Sequence, residues 1–499
     1  MRVHTDIGKK AIIAGVVLGL VLGFTGSALT TGSVSEAKSK KISISKKKMT
    51  IYTKQKKQLK LKNVPKKQSG KITWKSSKKK VATVSKKGVV TAKKAGKTII
   101  TATYKKKEYT CKVTVKVGAS GGDPSDIGDI PFLGSEDERV RLDYSDAFFS
   151  EASTKFNHEM AKCSLASAIL SEATVVPEES GGVLSNLEIL TRSFGFEGFD
   201  VNEEYKTEPT AESVGVACSF KKIDDRTVVA VFIRSMGYKA EWASNMTVGD
   251  GKDIENHKGF ELARRKVSAY ISEYLKNNQI SEDVTFWLAG QSRGAAIANL
   301  TAAWLKEGES VTGIRTSPDK IYAYCFATPR AAYVGVGDNK KDIKTGYEFI
   351  HNLVFDRDIV CRIPPAKLGF DVYGVRESGV IGTDDEKVKD VLKTLDSDSY
   401  NSFVTAAGQD LKGMTPVLVV DKCIDDFAAM VVDRETYTRE WQDTAIYMMS
   451  VLFGGGAPEG ITSDPEKGSQ LLELFSKGGL TLLIDHYPYV EYAYLVTAG

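Results

Sequence analysis

The residues best suited to chemistry are a serine between glycines, Gly290-Gln291-Ser292-Arg293-Gly294, and a histidine far downstream, His486. A serine hydroxyl is a weak nucleophile at neutral pH. It needs a base to take its proton and an acid to orient that base. The chain has five histidines. His4 lies in a segment of export-signal type, His158 in a first helix, and His351 inside the apolar run Phe349 to Val354, where a core role fits. His257 precedes a helix upstream of the serine. His486, just after the last strand-like run, fits the order serine, acid, histidine that accompanies such a serine turn. Two acids stand between them at a strand end, Asp356 and Asp358, and either carboxylate could reach an imidazole.

The elements needed to position these groups are legible. Val284 to Ala289 is a short apolar run that reads as a buried strand, and Ala295 to Lys306 carries apolar residues at helical spacing. Ser292 therefore sits at a strand-to-helix turn, where its neighbours two before and two after must be tiny for strand and helix to approach. Ser213 to Lys221 and Thr227 to Ser235 read as a hairpin joined through Lys222 to Arg226. A helix over Phe260 to Lys276 and strands over Lys320 to Phe326 and Glu348 to Val354 complete an alternation. Such an alternation builds a mainly parallel sheet with helices on both faces and sites at the strands' carboxyl ends.

The 499 residues allow two or three domains, and charge divides them. Residues 38–117 contain 28 lysines, no arginine and one acid, Glu108, a net +27; residues 118–499 carry −22. Ahead of both, Arg2, Lys9 and Lys10 precede the apolar run Ala11 to Phe24 and then Ser35-Glu36-Ala37. This is the order of a secretory signal peptide over residues 1–37, although the same stretch could remain as an anchor. Export would place the protein outside the cell or on its surface. Six cysteines (Cys111, Cys163, Cys218, Cys325, Cys361, Cys423) stand singly, several in apolar runs. That spacing suggests buried thiols and no zinc or redox motif.

The lysines are interleaved with β-type residues: Lys71 to Ser77, Val81 to Ser85, Gly88 to Ala92, Thr98 to Thr103 and Thr110 to Val115. In order, these segments resemble bacterial immunoglobulin-like domains of group 2, which implies a small all-β sandwich over residues 38–117. Charge of this size implies salt-dependent attraction to an anionic wall polymer or anionic lipid surface. No recognition helix, zinc spacing or RNA-binding motif points to specific nucleic acid. Residues 118–136, rich in glycine, serine and aspartate, read as a linker.

In the remaining residues 137–499, the segments Thr227 to Ser235, Glu241 to Asn245, His257 to Phe260, Gly290 to Gly294, Phe326 to Arg330, Asp358 to Pro365 and Asp485-His486 together resemble class 3 lipases. The resemblance implies an α/β-hydrolase that cleaves carboxylic esters without metal or organic cofactor. It implies Ser292 as nucleophile, His486 as base and Asp358, which begins the D-x-V-x-x-x-P turn, as acid. It also implies an oxyanion hole made by the backbone N–H groups of Met236 and Arg293. Arg234-Ser235-Met236 stands where relatives carry Arg-Gly-Ser or Arg-Gly-Thr, and Gln291 and Arg293 replace the usual His and Leu. The 128 residues from Asp358 to His486 exceed what such a connection requires. Helical patterns over Lys387 to Leu395, Tyr400 to Leu411 and Tyr437 to Leu452 suggest a helical insert, residues 370–480, capping the site. Two further readings share these residues: a surface-binding protein whose hydrolase fold does not turn over, and an acyltransferase.

Overall fold

The computed structural model describes residues 41–52, 56–94, 96–116, 142–172, 186–205, 210, 212–235, 241–281, 284–308, 316–338, 340–377, 385–452, 460–478 and 483–498. The expected export signal and linker lie outside these residues. The chain divides into two compact units, a smaller one centred on residues 41–116 and a larger one on residues 142–498.

In the smaller unit, β1 (Ser43–Ile44) pairs with β4 (Leu61–Lys62). β2 (Lys48–Tyr52), β9 (Lys107–Lys116), β8 (Gly96–Tyr104) and β5 (Thr73–Ser76) form one sheet in that order; β3 (Lys56–Gln58), β7 (Val89–Ala92) and β6 (Ala82–Val84) form another. Alternation explains how a lysine-laden chain builds a core. In β8, Thr98, Ile100, Ala102 and Tyr104 are buried, and Lys97, Ile99, Thr101 and Thr103 take the other face. Val90, Cys111, Val113 and Leu59 complete the interior. Gly88 (φ 82°) is required by close approach, since a Cβ there would lie 2.4 Å from the Leu59 carbonyl oxygen. The first four strands, in the densest lysine stretch, were not expected from sequence.

The larger unit is built on a seven-stranded sheet. Its order is β10 (Glu197–Val201), β11 (Val216–Ile223), β12 (Arg226–Ile233), β13 (Val284–Gln291), β14 (Ile321–Phe326), β16 (Ile350–Leu353) and β18 (Val375–Arg376), with β15 (Ala332–Tyr333) and β17 (Phe370–Asp371) paired apart. From β12 to β18 the strands are parallel; β10, β11 and β12 are antiparallel. The hairpin loop is shorter than the charged sequence suggested. Ile223 pairs with Arg226, leaving only Asp224 and Asp225 in the turn, and Asp224 takes the φ of 54° such a loop needs. Lys221 tolerates its buried strand position because Asp146 receives its ammonium at 2.5 Å.

Every residue of β13 is buried, as expected for a central parallel strand covered on both faces. Phe286 and Leu288 pack with α2 (Lys258–Asn277) and α3 (Arg293–Glu307). Trp287 faces α1 (His158–Glu172), donating its indole N–H to Ser164 at 2.8 Å. His351 is a core residue as expected, its ring nitrogens 2.7 Å from Glu377 and 2.9 Å from the Ser153 carbonyl. All six cysteines are buried free thiols.

After β18 the described chain is helical: α4 (Asp385–Leu395), α5 (Ser397–Ala407), α6 (Pro416–Val431), α7 (Gln442–Leu452), α8 (Pro465–Gly478) and α9 (Pro488–Ala498). The segment 370–377, placed in the insert from sequence, instead contains β17 (Phe370–Asp371) and β18 (Val375–Arg376), and the helices begin at Asp385. Among the described residues no helix is long and apolar enough to cross a membrane. Arg434, ahead of α7, fastens these helices to the loop before α2. Its guanidinium donates to five carbonyls, those of Val248, Gly249, Ile254, Glu255 and Asn256, at 2.7–3.2 Å. It also lies over the rings of Tyr333 and Phe370 at 5.0 and 4.9 Å.

Replacing Arg434 by Ala leaves those buried carbonyls unsatisfied and is expected to cost about 3 kcal/mol of unfolding free energy in urea titration. Arg434→Lys, which lacks the planar five-donor fork, is expected to recover only part of it. His257, fully buried and stacked on Phe260 at 4.2 Å, supplies a pH signature. Burial, then the Arg434 charge, push its imidazole from 6.5 down to about 3. Between those values the unfolded chain binds a proton that the folded chain refuses. Stability is therefore fully present above pH 6.5 and falls with pH below it, by at most about 1.4 kcal/mol per pH unit. Urea midpoints measured at pH 7 and pH 5 are expected to differ less in His257→Phe than in the wild type.

Candidate active site

Ser292 occupies the turn from β13 into α3, with φ 54° and ψ −123°, a conformation a non-glycine residue holds only when its surroundings impose it. Those surroundings are the two glycines. A Cβ on Gly290 would lie 2.4 Å from the Gly294 carbonyl, and one on Gly294 2.4 Å from the Ile233 carbonyl oxygen. The Ser292 N–H donates to the Phe326 carbonyl at 2.8 Å, tying the turn to the end of β14.

The structure brings Ser292, His486 and Asp358 into one hydrogen-bonded chain. His486 Nε2 is 2.7 Å from Ser292 Oγ and its Nδ1 is 2.8 Å from Asp358 Oδ2. A carboxylate at Nδ1 requires the proton there, so Nε2 is left as the acceptor for the serine hydroxyl. Asp358 is fully buried. Its Oδ1 accepts the Val360 N–H at 2.8 Å, and its Oδ2 accepts the Cys361 thiol at 3.1 Å. Burial, then the Asp358 charge, push the Cys361 thiol well up, which keeps it a donor. Of the two acids that position left open, Asp358 faces His486, and Asp356 is exposed.

The turn carrying Asp358 is braced on two sides. Arg330, after β14, donates to the carbonyls of Arg362 and Pro364 at 2.7 and 3.4 Å. This explains why the Phe326 to Arg330 and Asp358 to Pro365 segments occur together. On the other side Ile359 packs with Val419, Val420 and Cys423 of α6 and Leu474 of α8, and Arg362 pairs with Asp421 at 2.5 Å. Gly259 has a similar structural role in the His257 to Phe260 segment. A Cβ there would lie 1.9 Å from the Ser244 carbonyl oxygen, where α2 meets the short helix Trp242–Met246.

Of the two expected oxyanion donors, Met236 lies outside the described residues. Arg293 is the first residue of α3, a position whose N–H has no acceptor within its own helix. Its side chain is fully buried, with Nε and Nη2 3.3 and 3.1 Å from Ser244 Oγ. Nearby, Glu241 pairs with Arg234 at 2.8 Å. Burial pushes the Glu241 carboxyl up, against the pull of Arg293 and Arg234; burial lowers Arg293, against the pull of Glu241.

Three site neighbours escaped the sequence reading as contributors. Gln291 donates to the His486 carbonyl at 2.9 Å and accepts from Ser235 at 3.0 Å. Arg357 binds Asp485 through two hydrogen bonds, 2.7 and 3.1 Å long. The only sequence signal was opposite charges immediately before Asp358 and His486. Among the described residues no three His, Cys, Asp or Glu side chains gather to hold a metal ion.

No curated protein matches the chain. Among solved structures it is similar to a bacterial Ig-like domain containing GH10 xylanase from termite gut, at 15% identity over 56% of this chain, with a TM-score of 0.14. The match spans 62% of that structure's chain, less than two thirds. Residues 39–117 match the family model of the bacterial Ig-like domain (group 2), and residues 194–368, which hold Ser292 and Asp358, match that of the class 3 lipases.

Proposed function

We propose that this chain is an exported serine carboxylic ester hydrolase of lipase or esterase type, its larger unit an α/β-hydrolase with a helical insertion. The observation that carries this reading is the Ser292–His486–Asp358 hydrogen-bonded chain on a strained strand-to-helix turn. His486 takes the Ser292 proton as Oγ attacks the ester carbonyl carbon, and Asp358 steadies the imidazolium that forms. The tetrahedral oxyanion is met by the N–H groups of Arg293 and Met236. His486 then protonates the departing alkoxide, leaving an acyl group on Ser292. Water, deprotonated by His486, attacks this acyl-enzyme; Ser292 recovers its proton and the acid is released. The helices from Asp385 onward press on the Asp358 turn, which suits a cap that shapes access for the acyl chain.

A fluorophosphonate probe is expected to label the wild type and not Ser292→Ala. On esters of rising acyl length, Ser292→Ala and His486→Ala are each expected to lose about 10⁶-fold in kcat, and Asp358→Asn about 10⁴-fold. An unlabelled, inactive wild type overturns the reading in favour of a binding protein. Product formed with added glycerol at the expense of free acid redirects it to acyl transfer.

The smaller unit is proposed to hold the enzyme at an anionic surface outside the cell. Among its described residues no lysine takes part in an ion pair, and Lys48 and Lys112 stand directly opposite in paired strands, an arrangement that repels until an anion intervenes. Binding of the whole chain to anionic vesicles or wall polymer is expected to weaken steeply from about 50 to about 500 mM salt as screening shortens. Salt-independent binding contradicts this part.

A further inference from the structure

The residues immediately before Ser292, Asp358 and His486 form a second set of contacts around the first. Arg357 precedes the acid and Asp485 the histidine, and the two are joined by a pair of hydrogen bonds, Nε to Oδ2 at 2.7 Å and Nη2 to Oδ1 at 3.1 Å. This is the fork-to-fork geometry in which guanidinium and carboxylate bind most strongly. Asp485 is fully buried and Arg357 about a quarter exposed, and Nη2 also meets the hydroxyl of Tyr494 on α9. Gln291, before the nucleophile, reaches from the end of β13 to the His486 carbonyl.

We propose that Arg357, Asp485 and Gln291 are positioning residues that hold the His486 ring between Asp358 and Ser292; this rests on the ester-hydrolase reading above. A single hydrogen bond, Nδ1 to Asp358, leaves the histidine segment free to turn about it. A second link, one residue upstream on both segments, removes that rotation, and the Gln291 link fixes the distance to the nucleophile's strand. The ion pair has a second consequence. A buried, unpaired Asp485 carboxylate beside His486 would be a rival acceptor for its N–H, and Arg357 occupies both of its oxygens. Because the pair is one unit, its two halves act together rather than independently.

The test uses the whole chain with Arg357→Gln, Asp485→Asn, the double variant and Arg357→Lys. Four quantities are measured: the urea midpoint, kcat and KM on a soluble short-chain ester, and the low-field proton resonance of His486 Nδ1–H, assigned by its loss in His486→Ala. Arg357→Gln is expected to broaden or abolish the resonance and to lower kcat about 10- to 100-fold, the scale of a misplaced reacting group, with KM within about twofold. The double variant is expected to lose no more kcat than Arg357→Gln alone, and Arg357→Lys to recover part of the loss. The proposal is overturned if Arg357→Gln lowers only the urea midpoint while kcat and the resonance keep their wild-type values. It is equally overturned if the two single losses multiply in the double variant. A wild type that cleaves no ester sinks the hydrolase reading instead, and the resonance still decides whether the ion pair holds the ring.

Discussion

The hydrogen bond between Ser292 and His486 joins residues 194 apart in sequence, and most of what is unusual about the larger unit serves that closure. Closing so long a loop costs entropy that grows only slowly with length, so distance along the chain is not the obstacle. Direction is the obstacle. The serine is fixed by the sheet, because β13 lies between two parallel neighbours and its exit is defined by the two glycines. The histidine sits in a short turn, Ile484–His486, ahead of α9, and a turn has no ladder to fix it. Side chains have to supply what the ladder supplies for the serine.

That requirement explains the number of buried charges around the site. Taking an ion out of water costs several kcal/mol unless good geometry offsets it, and well-packed apolar residues often stabilise a fold as much. Arg234 with Glu241, Arg357 with Asp485, and Arg434 with its five carbonyls therefore contribute more to arrangement than to stability. In each case a planar guanidinium meets acceptors in fixed directions, which no aliphatic side chain can do. Each of these arginines also bridges segments that no strand joins.

Much of this was legible beforehand, for reasons that are local. Val284 to Ala289 is apolar on both faces because both faces are covered, and Gly290 and Gly294 are required within five residues of each other. The alternation in Gly96–Tyr104 buries Thr98, Ile100, Ala102 and Tyr104 and leaves Lys97 to solvent, because a strand shows only every second residue to water. Long-range pairings were not legible. Beyond the opposite charges just before Asp358 and His486, nothing near Arg357 announces Asp485, and nothing near Arg434 announces the loop from Val248 to Asn256. The hairpin loop was read too long because Lys222 and Arg226 look like loop residues, although Lys222 pairs with Thr227 and Ile223 with Arg226 across the ladder. The acid could be narrowed only to Asp356 or Asp358 from position, since two residues along a turn decide which carboxylate is buried.

The division of support between sheet and helices has a functional consequence. The turn bearing Asp358 rests on Val419, Val420 and Cys423 of α6 and on Leu474 of α8, whereas the Ser292 turn rests on Ile233 and Phe326 of the sheet and on Gly294 of α3. The helices from Asp385 onward are thus not a cover laid over a finished site. They pack against one side of the Asp358 turn, tied to the loop before α2 by Arg434 and to the turn by the Arg362–Asp421 pair. A change in these helices must therefore preserve the packing against Ile359 if Asp358 is to keep its place beside His486.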